Sequence, residues 1–415
     1  MKKDWSAVND KLGRSKEKYE FYFGNYSYAD FSSGKIAARL PIQHIGWGKR
    51  AVEMRANKTH FDKFENDTLG LNELFEKYRV LEAFDKLKED ILVCGCGFLA
   101  VTGDRVFPFT AEEATGTYNW QEQNLKEGLA VFREDTKKGL SLVEERIPTG
   151  YIEYFPEITV RHDGNDESYE PNVTGRPLMA MLTHKSTTKR PFGRSVISGP
   201  ARSAIIDASR TVRQAMIAAY HYNTKVDVLL GVDNDTAVDR VETSTGDVLK
   251  VGPNENGQIP SIGEFAQHAL APFNDTILVA ARNFCSDTKL SLANLGISTA
   301  APQSTEALEI LNDDLKDDIK EWQLELGEQL KYFAITLFMK EEGLRTLDDN
   351  ILEKIRAIKP VFKSVYNADL SKFGDGLLKI ASQTPDIIKA RSIWREIGLT
   401  SDEIDKVIDS QVITG

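Results

Sequence analysis

Residues Ser304–Leu337 read STEALEILNDDLKDDIKEWQLELGEQLKYFAITL, and the spacing of their apolar positions decides the fold. Leu308, Leu311, Leu315, Ile319, Trp322, Leu326, Leu330, Phe333 and Leu337 are separated by steps of three or four. That rhythm predicts one long helix with a continuous apolar seam, started by Ser304-Thr305-Glu306. Asp313, Asp314, Asp317, Asp318, Glu321, Glu325 and Glu328 fall off the seam. We read them as a solvated helix face rather than a divalent-metal cluster, and the seam as packing on the chain's own core. A helix of this length is the spine around which shorter elements must be arranged.

Upstream of the spine, Leu290–Gln303 (LSLANLGISTAAPQ) is a loop of small residues closed by Pro302. Before it, Leu270, Phe273, Ile277, Ala281 and Phe284 keep helical spacing. A helix is expected from about Gly263 to Phe284, kinked at Pro272. A short β segment is expected over Lys225–Val232 and Val248–Val251, punctuated by Gly252, Gly257 and Pro260. Ser198-Gly199-Pro200 opens a further helix, with Ala201, Ala204, Ile205, Ala208, Val212, Met216, Ala219 and Tyr220 on one stripe. Pro191-Phe192-Gly193-Arg194-Ser195 before it is a turn.

The first 190 or so residues read as an α+β unit with an antiparallel sheet. Asp4–Lys18 is polar and helix-prone, and Ile42–Phe64 suggests a short helix followed by a strand. Leu69–Asp90 carries a helical stripe, and Ile91–Val101 reads as a strand turned by Gly103-Asp104 into Val106–Phe109. Further strands are expected at Leu129–Arg133, Gly139–Arg146, Tyr151–Phe155 and Glu157–His162. After Gly343, the tail Thr346–Gln411 reads as shorter helices separated by Pro360, Gly374-Asp375-Gly376, Pro385 and Gly398. The class is therefore α+β and helix-rich.

Composition narrows the function. A hydrophobic fraction of 41% and a charged fraction of 28% are those of a folded globular chain. No run is long and apolar enough for a membrane-spanning helix, and no secretory signal follows the N-terminal lysines. The net charge of −11 argues against tight, sequence-reading DNA binding, which needs a basic footprint. It leaves room for DNA as a passing cargo, since an acidic wall repels phosphates. Three cysteines make no disulfide framework, and the chain is expected to be made in a reducing cytoplasm. Phosphate-loop, zinc-helix and nucleophile-elbow motifs are missing. Cys94-Gly95-Cys96 lacks the second ligand pair of a structural zinc site, and we read it as small residues alternating across a strand. The six histidines show no ligand spacing. The expectation is a protein with no catalytic residues, no metal and no cofactor.

The order of these pieces resembles the portal proteins of tailed double-stranded DNA bacteriophages. Gly193-Arg194-Ser195 is similar to the turn before their first stem helix. Ser304-Thr305-Glu306-Ala307-Leu308 is similar to the start of their long helix. Tyr19–Gly24 resembles their N-terminal aromatic segment, Val93–Val101 their wing strand with its paired glycines, and Asp369–Ile408 their crown helices. The resemblance implies a portal fold with wing (1–192), first stem helix (193–223), clip (224–262), second stem helix (263–288), tunnel loop (289–303), long tunnel-to-wing helix (304–345) and crown (346–415).

It implies a homo-oligomeric ring, usually of twelve subunits, at one capsid vertex of the virion, assembled in the host cytoplasm. Double-stranded DNA would pass through without sequence readout during packaging and ejection. Implied partners are the terminase large subunit, a head–tail adaptor, scaffold and the major capsid protein, with no membrane. Implied sites are a DNA-facing tunnel loop with Lys289, Ser291, Asn294, Ser298, Thr299 and Gln303, and a docking clip with Pro253, Asn254, Glu255 and Asn256. A head or connector protein without a DNA tunnel is the alternative, and an enzyme of unknown class a third.

Overall fold

The computed structural model describes residues 6–30, 40–138, 144–222, 227–230, 238–243, 246–251, 261–264, 270–297, 312–365, 390–396, 399 and 401–413. Two compact units divide the chain: one holds 1–27, 45–203 and 282–415, the other 28–44 and 204–281. In chain order the elements are α1 (Ser6–Phe23), α2 (Trp47–Ala56), β1 (Phe61–Glu65), α3 (Leu71–Lys77), α4 (Val80–Cys94), β2 (Cys96–Thr102) and β3 (Arg105–Thr110). There follow β4 (Ala114–Asn119), β5 (Asn124–Lys138), β6 (Glu144–Tyr154), β7 (Ile158–Asp163), β8 (Asp166–Pro171), β9 (Met179–Thr183) and α5 (Gly199–Tyr222). Next come β10 (Asp227–Leu230), β11 (Val238–Thr243), β12 (Gly246–Val251), β13 (Ser261–Glu264), α6 (Ala271–Thr288) and a single 3-10 turn (Leu292–Leu295). The last elements are α7 (Asp313–Glu342), α8 (Asp349–Ala357), β14 (Lys359–Phe362), α9 (Arg391–Glu396) and α10 (Ser401–Ile413).

Helix and sheet are mixed as the sequence suggests, and among the described residues every strand pairing is antiparallel. In the larger unit β3-β2-β9 form one sheet, and β4 to β8 form a meander in chain order. Strands β2 and β9 lie in the core. Phe98, Leu99 and Ala100 are buried, as is all of Met179–Thr183. A strand covered on both faces needs no polar alternation, which is why these two read as continuous apolar runs. Helix α4 lies against β2 and β3, burying Phe84, Leu87 and Ile91, and α7 lies against β9 and β14. The α7 seam behaves as its spacing predicts: Leu315, Ile319, Trp322, Leu326, Leu330, Phe333 and Leu337 are all buried. Each such side chain stabilises the fold by about 1.5–3 kcal/mol relative to exposure.

Four expectations are corrected. The helix over Leu69–Asp90 is two helices, because Arg79 takes a left-handed φ of 53°. The break lets the Tyr78 carbonyl accept from Val106 N at 3.1 Å while its ring is buried. Helix α4 then runs on to Cys94 and stops at Gly95, with φ of 100°, so Ile91–Cys94 are helical and the strand begins only at Cys96. Cys94 and Cys96 therefore belong to different elements and do not alternate along one strand. The helix expected from Gly263 begins at Ala271, and Gly263 and Glu264 belong to β13. Pro272 is thus the second helical residue, where its missing N–H is no loss, and it kinks nothing. In the tail, Pro360 does not separate helices. It sits within β14, opposite Phe64 of β1, in a two-stranded sheet whose outer edges tolerate proline. Gly327 on α7 admits that strand: a Cβ there would lie 2.7 Å from Pro360 Cγ.

The smaller unit is described through its backbone and one clamp. β10 pairs with β13, and β11 with β12 as a hairpin. On α5, buried Arg213 donates from Nε to Asp30 Oδ2 at 2.7 Å, and from Nη1 to the carbonyls of Leu40 at 2.9 Å and Pro41 at 2.7 Å. Arg210 Nε reaches the Ala29 carbonyl at 3.0 Å. Ala29, Asp30, Leu40 and Pro41 are thus tied to α5 by two guanidinium groups.

The Gly193-Arg194-Ser195 turn has a steric cause. Gly193 has φ of 69°, and a Cβ there would lie 2.2 Å from the Gly95 carbonyl oxygen and 2.7 Å from that of His184. Backbone crosses backbone here: His184 N donates to the Gly95 carbonyl at 2.9 Å, and Arg194 N to the His184 carbonyl at 2.7 Å. Left-handed backbone alone costs an L-residue about 1–2 kcal/mol, and the overlap adds as much again. Gly193→Ala is expected to lower stability by about 3 kcal/mol or more in denaturant unfolding. Gly199→Ala, which meets open space, should leave it within about 1 kcal/mol.

Candidate functional site

The segment after α6, where the portal resemblance implies a DNA-facing loop, starts on a buried ionic hub. Asp318 of α7 is 1% exposed and faces three cations from three different parts of the larger unit. Arg55 of α2 donates from Nε to Asp318 Oδ2 at 3.0 Å. Its remaining donors go to the Ala51 carbonyl at 3.0 Å and the Thr288 carbonyl at 2.6 Å. Lys289, just past α6, reaches Asp318 Oδ1 at 2.9 Å, and Lys185, just past β9, bonds the same oxygen. Burial alone would raise the Asp318 pKa. The charge of Arg55 and the hydrogen bonds from Lys185 and Lys289 outweigh it and hold the carboxyl well below the usual carboxylate range.

One turn along α7 the same face continues. Glu325 accepts from Thr183 Oγ1 at 2.7 Å, Lys185 N at 2.8 Å and Ser186 N at 3.0 Å. Trp322 Nε1 donates to the Thr183 carbonyl at 3.0 Å, and Gln329 Oε1 accepts from Thr183 N at 2.8 Å. His184 stands edge-on to Trp322, with Nδ1 against the Arg194 carbonyl at 2.8 Å. That contact assigns the proton to Nδ1. Burial pushes His184 down to about 4, so it is neutral at pH 7. Asp318 is thus buried and Glu325 half-buried against the end of β9, which corrects the reading of the whole acidic set as a solvated face. Only Asp313, Asp314, Asp317, Glu321 and Glu328 keep that description.

The predicted loop residues fall as follows. The Lys289 ammonium is paired with Asp318, and its backbone takes φ of 53°. Ser291 is buried, and its hydroxyl accepts from Asn294 N at 3.3 Å, capping the 3-10 turn. Asn294 Nδ2 donates to Asn312 Oδ1 at 2.7 Å, and its carbonyl accepts from Arg50 Nε at 3.1 Å. Leu290 is buried, while Leu292, Leu295 and Ile297 are half-buried. Ser298, Thr299 and Gln303 lie outside the described residues, as do Ser304–Leu311 and the clip residues Pro253, Asn254, Glu255 and Asn256. Within the described part, the polar side chains of this loop are turned to the chain's own groups.

Sequence reasoning missed Arg55, Lys185 and the inward role of Asp318. A signal existed: Asp318, Trp322, Glu325 and Gln329 follow steps of four, three and four beside the apolar seam. A tryptophan in register with carboxylates marks an inward polar stripe.

A cleft of about 650 Å³ opens nearby, lined in part by Tyr118, Glu122, Arg176, Glu328, Tyr332 and Leu352. Its charges answer one another: Tyr332 Oη donates to Glu122 at 2.6 Å, and Arg176 pairs with Glu122 at 3.4 Å. Among the described residues no group of three or more His, Cys, Asp and Glu side chains is placed to hold a metal. The three cysteines are free and buried, and burial pushes the Cys94 thiol up to about 11. Among the described residues no helix is long and apolar enough to cross a membrane.

No protein-family profile matches the sequence, and no curated protein matches it. Among solved structures, a chain from the neck of a native GTA particle, computed with C12 symmetry, is 14% identical. That match covers 87% of this chain and 89% of the other, with a TM-score of 0.43, too slight to bear on function.

Two outcomes follow from the hub. Asp318→Asn leaves buried Arg55 without its counter-charge and should cost about 3–5 kcal/mol in denaturant unfolding at pH 7. Acid should also act in two windows. His184 is depressed when folded, so its contribution is complete above the ordinary histidine value and is lost as pH falls from about 6.5 toward 4, worth up to ~3 kcal/mol. Asp318 is depressed too, so its contribution is lost only below about pH 4. His184→Asn, which keeps a donor toward Arg194, should flatten the first window in a pH series of unfolding midpoints and leave the second.

Proposed function

We propose that this chain is the portal subunit of a tailed double-stranded DNA bacteriophage. It would form a ring through which DNA enters and leaves the head, and perform no chemistry itself. The observation that carries this reading is the order of elements along the chain. A Gly-Arg-Ser turn built on a backbone crossing leads into α5, then a small antiparallel β segment, α6, a capped 3-10 turn and the thirty-residue helix α7. That is the succession the portal resemblance implies. In this reading β10–β13 form the clip, which docks the terminase and later the adaptor. An acidic chain suits a conduit, because a wall that repels phosphates does not retain the duplex it conducts.

Native mass spectrometry and negative-stain microscopy of the purified protein test the proposal. The expected particle has a mass of about twelve times 46.5 kDa and a central hole. Closed particles without a hole would favour a connector component that lacks a tunnel. Monomers at every concentration, which also fail to enter heads assembled in cells, would remove the portal reading. Replacing Pro253–Asn256 by an unrelated loop of equal length should leave rings intact and abolish DNA packaging in a complementation assay.

A further inference from the structure

The loop from β9 to α5 carries KSTTKRPFGR, Lys185–Arg194, with four cations and no acid in a chain of net charge −11. Its root is fixed from several sides. Lys185 bonds Asp318, Ser186 N donates to Glu325 at 3.0 Å, and Arg194 N donates to the His184 carbonyl at 2.7 Å. Its tip is closed by a bridge, with Thr187 N to the Arg190 carbonyl at 3.1 Å and Arg190 N to the Thr187 carbonyl at 2.8 Å. The result is a pre-formed hairpin that holds Lys189, Arg190 and Arg194 exposed. Among the described residues, none of the three has an ion-pair partner.

The same unit shows a matching surface. On α7, Asp314, Asp317 and Glu321 are exposed and, among the described residues, unpaired, and they run along one stripe that ends at Leu324, which is 75% exposed. Leu324 lies one helical turn from Glu321 and from Glu328 and adds an exposed apolar side chain to the acidic stripe. Copies that each carry −11 repel one another, and local charge of opposite sign on two faces favours contact between them. A closed ring of more than two copies is built from two different faces, each meeting the other on the next subunit.

We propose that the Lys185–Arg194 hairpin of one subunit docks on the exposed α7 stripe of a second copy of this chain. Lys189, Arg190 and Arg194 meet Asp314, Asp317 and Glu321, with Leu324 as the apolar contact among them. This contact rests on the ring reading above and adds the faces that close it. A duplex-DNA partner would account for the hairpin alone and leave the acids and the leucine without a role.

A charge-swap cycle tests it, read as the protein concentration at which half of the chains are in rings by native mass spectrometry. Lys189→Glu with Arg190→Glu, and separately Asp317→Lys with Glu321→Lys, should each raise that concentration about tenfold or more. Combining the four changes should return it to within about threefold of the unaltered protein. Thermal unfolding of each variant, expected to shift little because all four side chains are exposed, separates lost assembly from lost folding.

Rings at the original concentration from either pair alone would overturn the contact and leave the ring reading standing. Loss in both pairs without recovery in the combination would show that the two faces do not meet. Unaltered protein that stays monomeric and also fails to enter heads assembled in cells would overturn the ring reading and the contact with it. Intact rings from the hairpin variant, with weakened binding to a short DNA duplex, would assign the hairpin to DNA instead.

Discussion

One carboxylate, Asp318, holds the larger unit in register. It is buried, so its charge is tolerable only because Arg55, Lys185 and Lys289 surround it, and each arrives from a different element. Dehydrating an ion pair costs several kcal/mol per ion, and an apolar cluster of equal volume would serve stability at least as well. The ionic arrangement adds direction. A guanidinium fork that must reach Asp318, the Ala51 carbonyl and the Thr288 carbonyl together leaves α2, the last turn of α6 and α7 little freedom to slide. Lys289 shows the consequence at the backbone. Its φ of 53° costs a lysine roughly 1–2 kcal/mol, and its ammonium lies 2.9 Å from the carboxylate. The chain therefore leaves α6 in one fixed direction.

The same constraint positions the surface. Lys185 begins the hairpin that ends at Arg194, and Glu325 takes both the hydroxyl of Thr183 and the backbone of Ser186. Hairpin, hub and the Gly193 crossing form one connected hydrogen-bonded body within the larger unit. The hairpin is presented on a rigid footing rather than as a free loop, so its exposed cations are pre-positioned for whatever they meet.

Much of this architecture was legible in the sequence. The α7 seam, the opening of α5 at Ser198-Gly199-Pro200, the antiparallel character of the first 190 residues and the turn at Gly103-Asp104 all follow local rules of periodicity and capping. The misses share a different cause. Arg79 breaks a helical stripe because the Tyr78 carbonyl is wanted by Val106, a partner in another element. Pro360 lies in a strand because β1 and a glycine on α7, far away in the chain, make room for it. Each is a tertiary demand overriding a local preference, and no window of neighbouring residues contains it. The candidate site was least legible, since its central carboxylate sits in a run of acids that looks uniform until the fold sorts it.

That sorting bears on function. Helix α7 has three faces with three different reasons to exist. The seam from Leu315 to Leu337 is accounted for by the core. The stripe Asp318, Trp322, Glu325 and Gln329 is accounted for by the hub and by the polar groups of β9. The third stripe, Asp314, Asp317, Glu321, Leu324 and Glu328, is accounted for by neither. Acids alone would be an ordinary solvating surface. Leu324 adds to them an exposed apolar side chain that the core of the unit does not use. Once the demands of the fold are subtracted, what remains on α7 is an apolar contact ringed by charge. That composition is intelligible as one half of an interface.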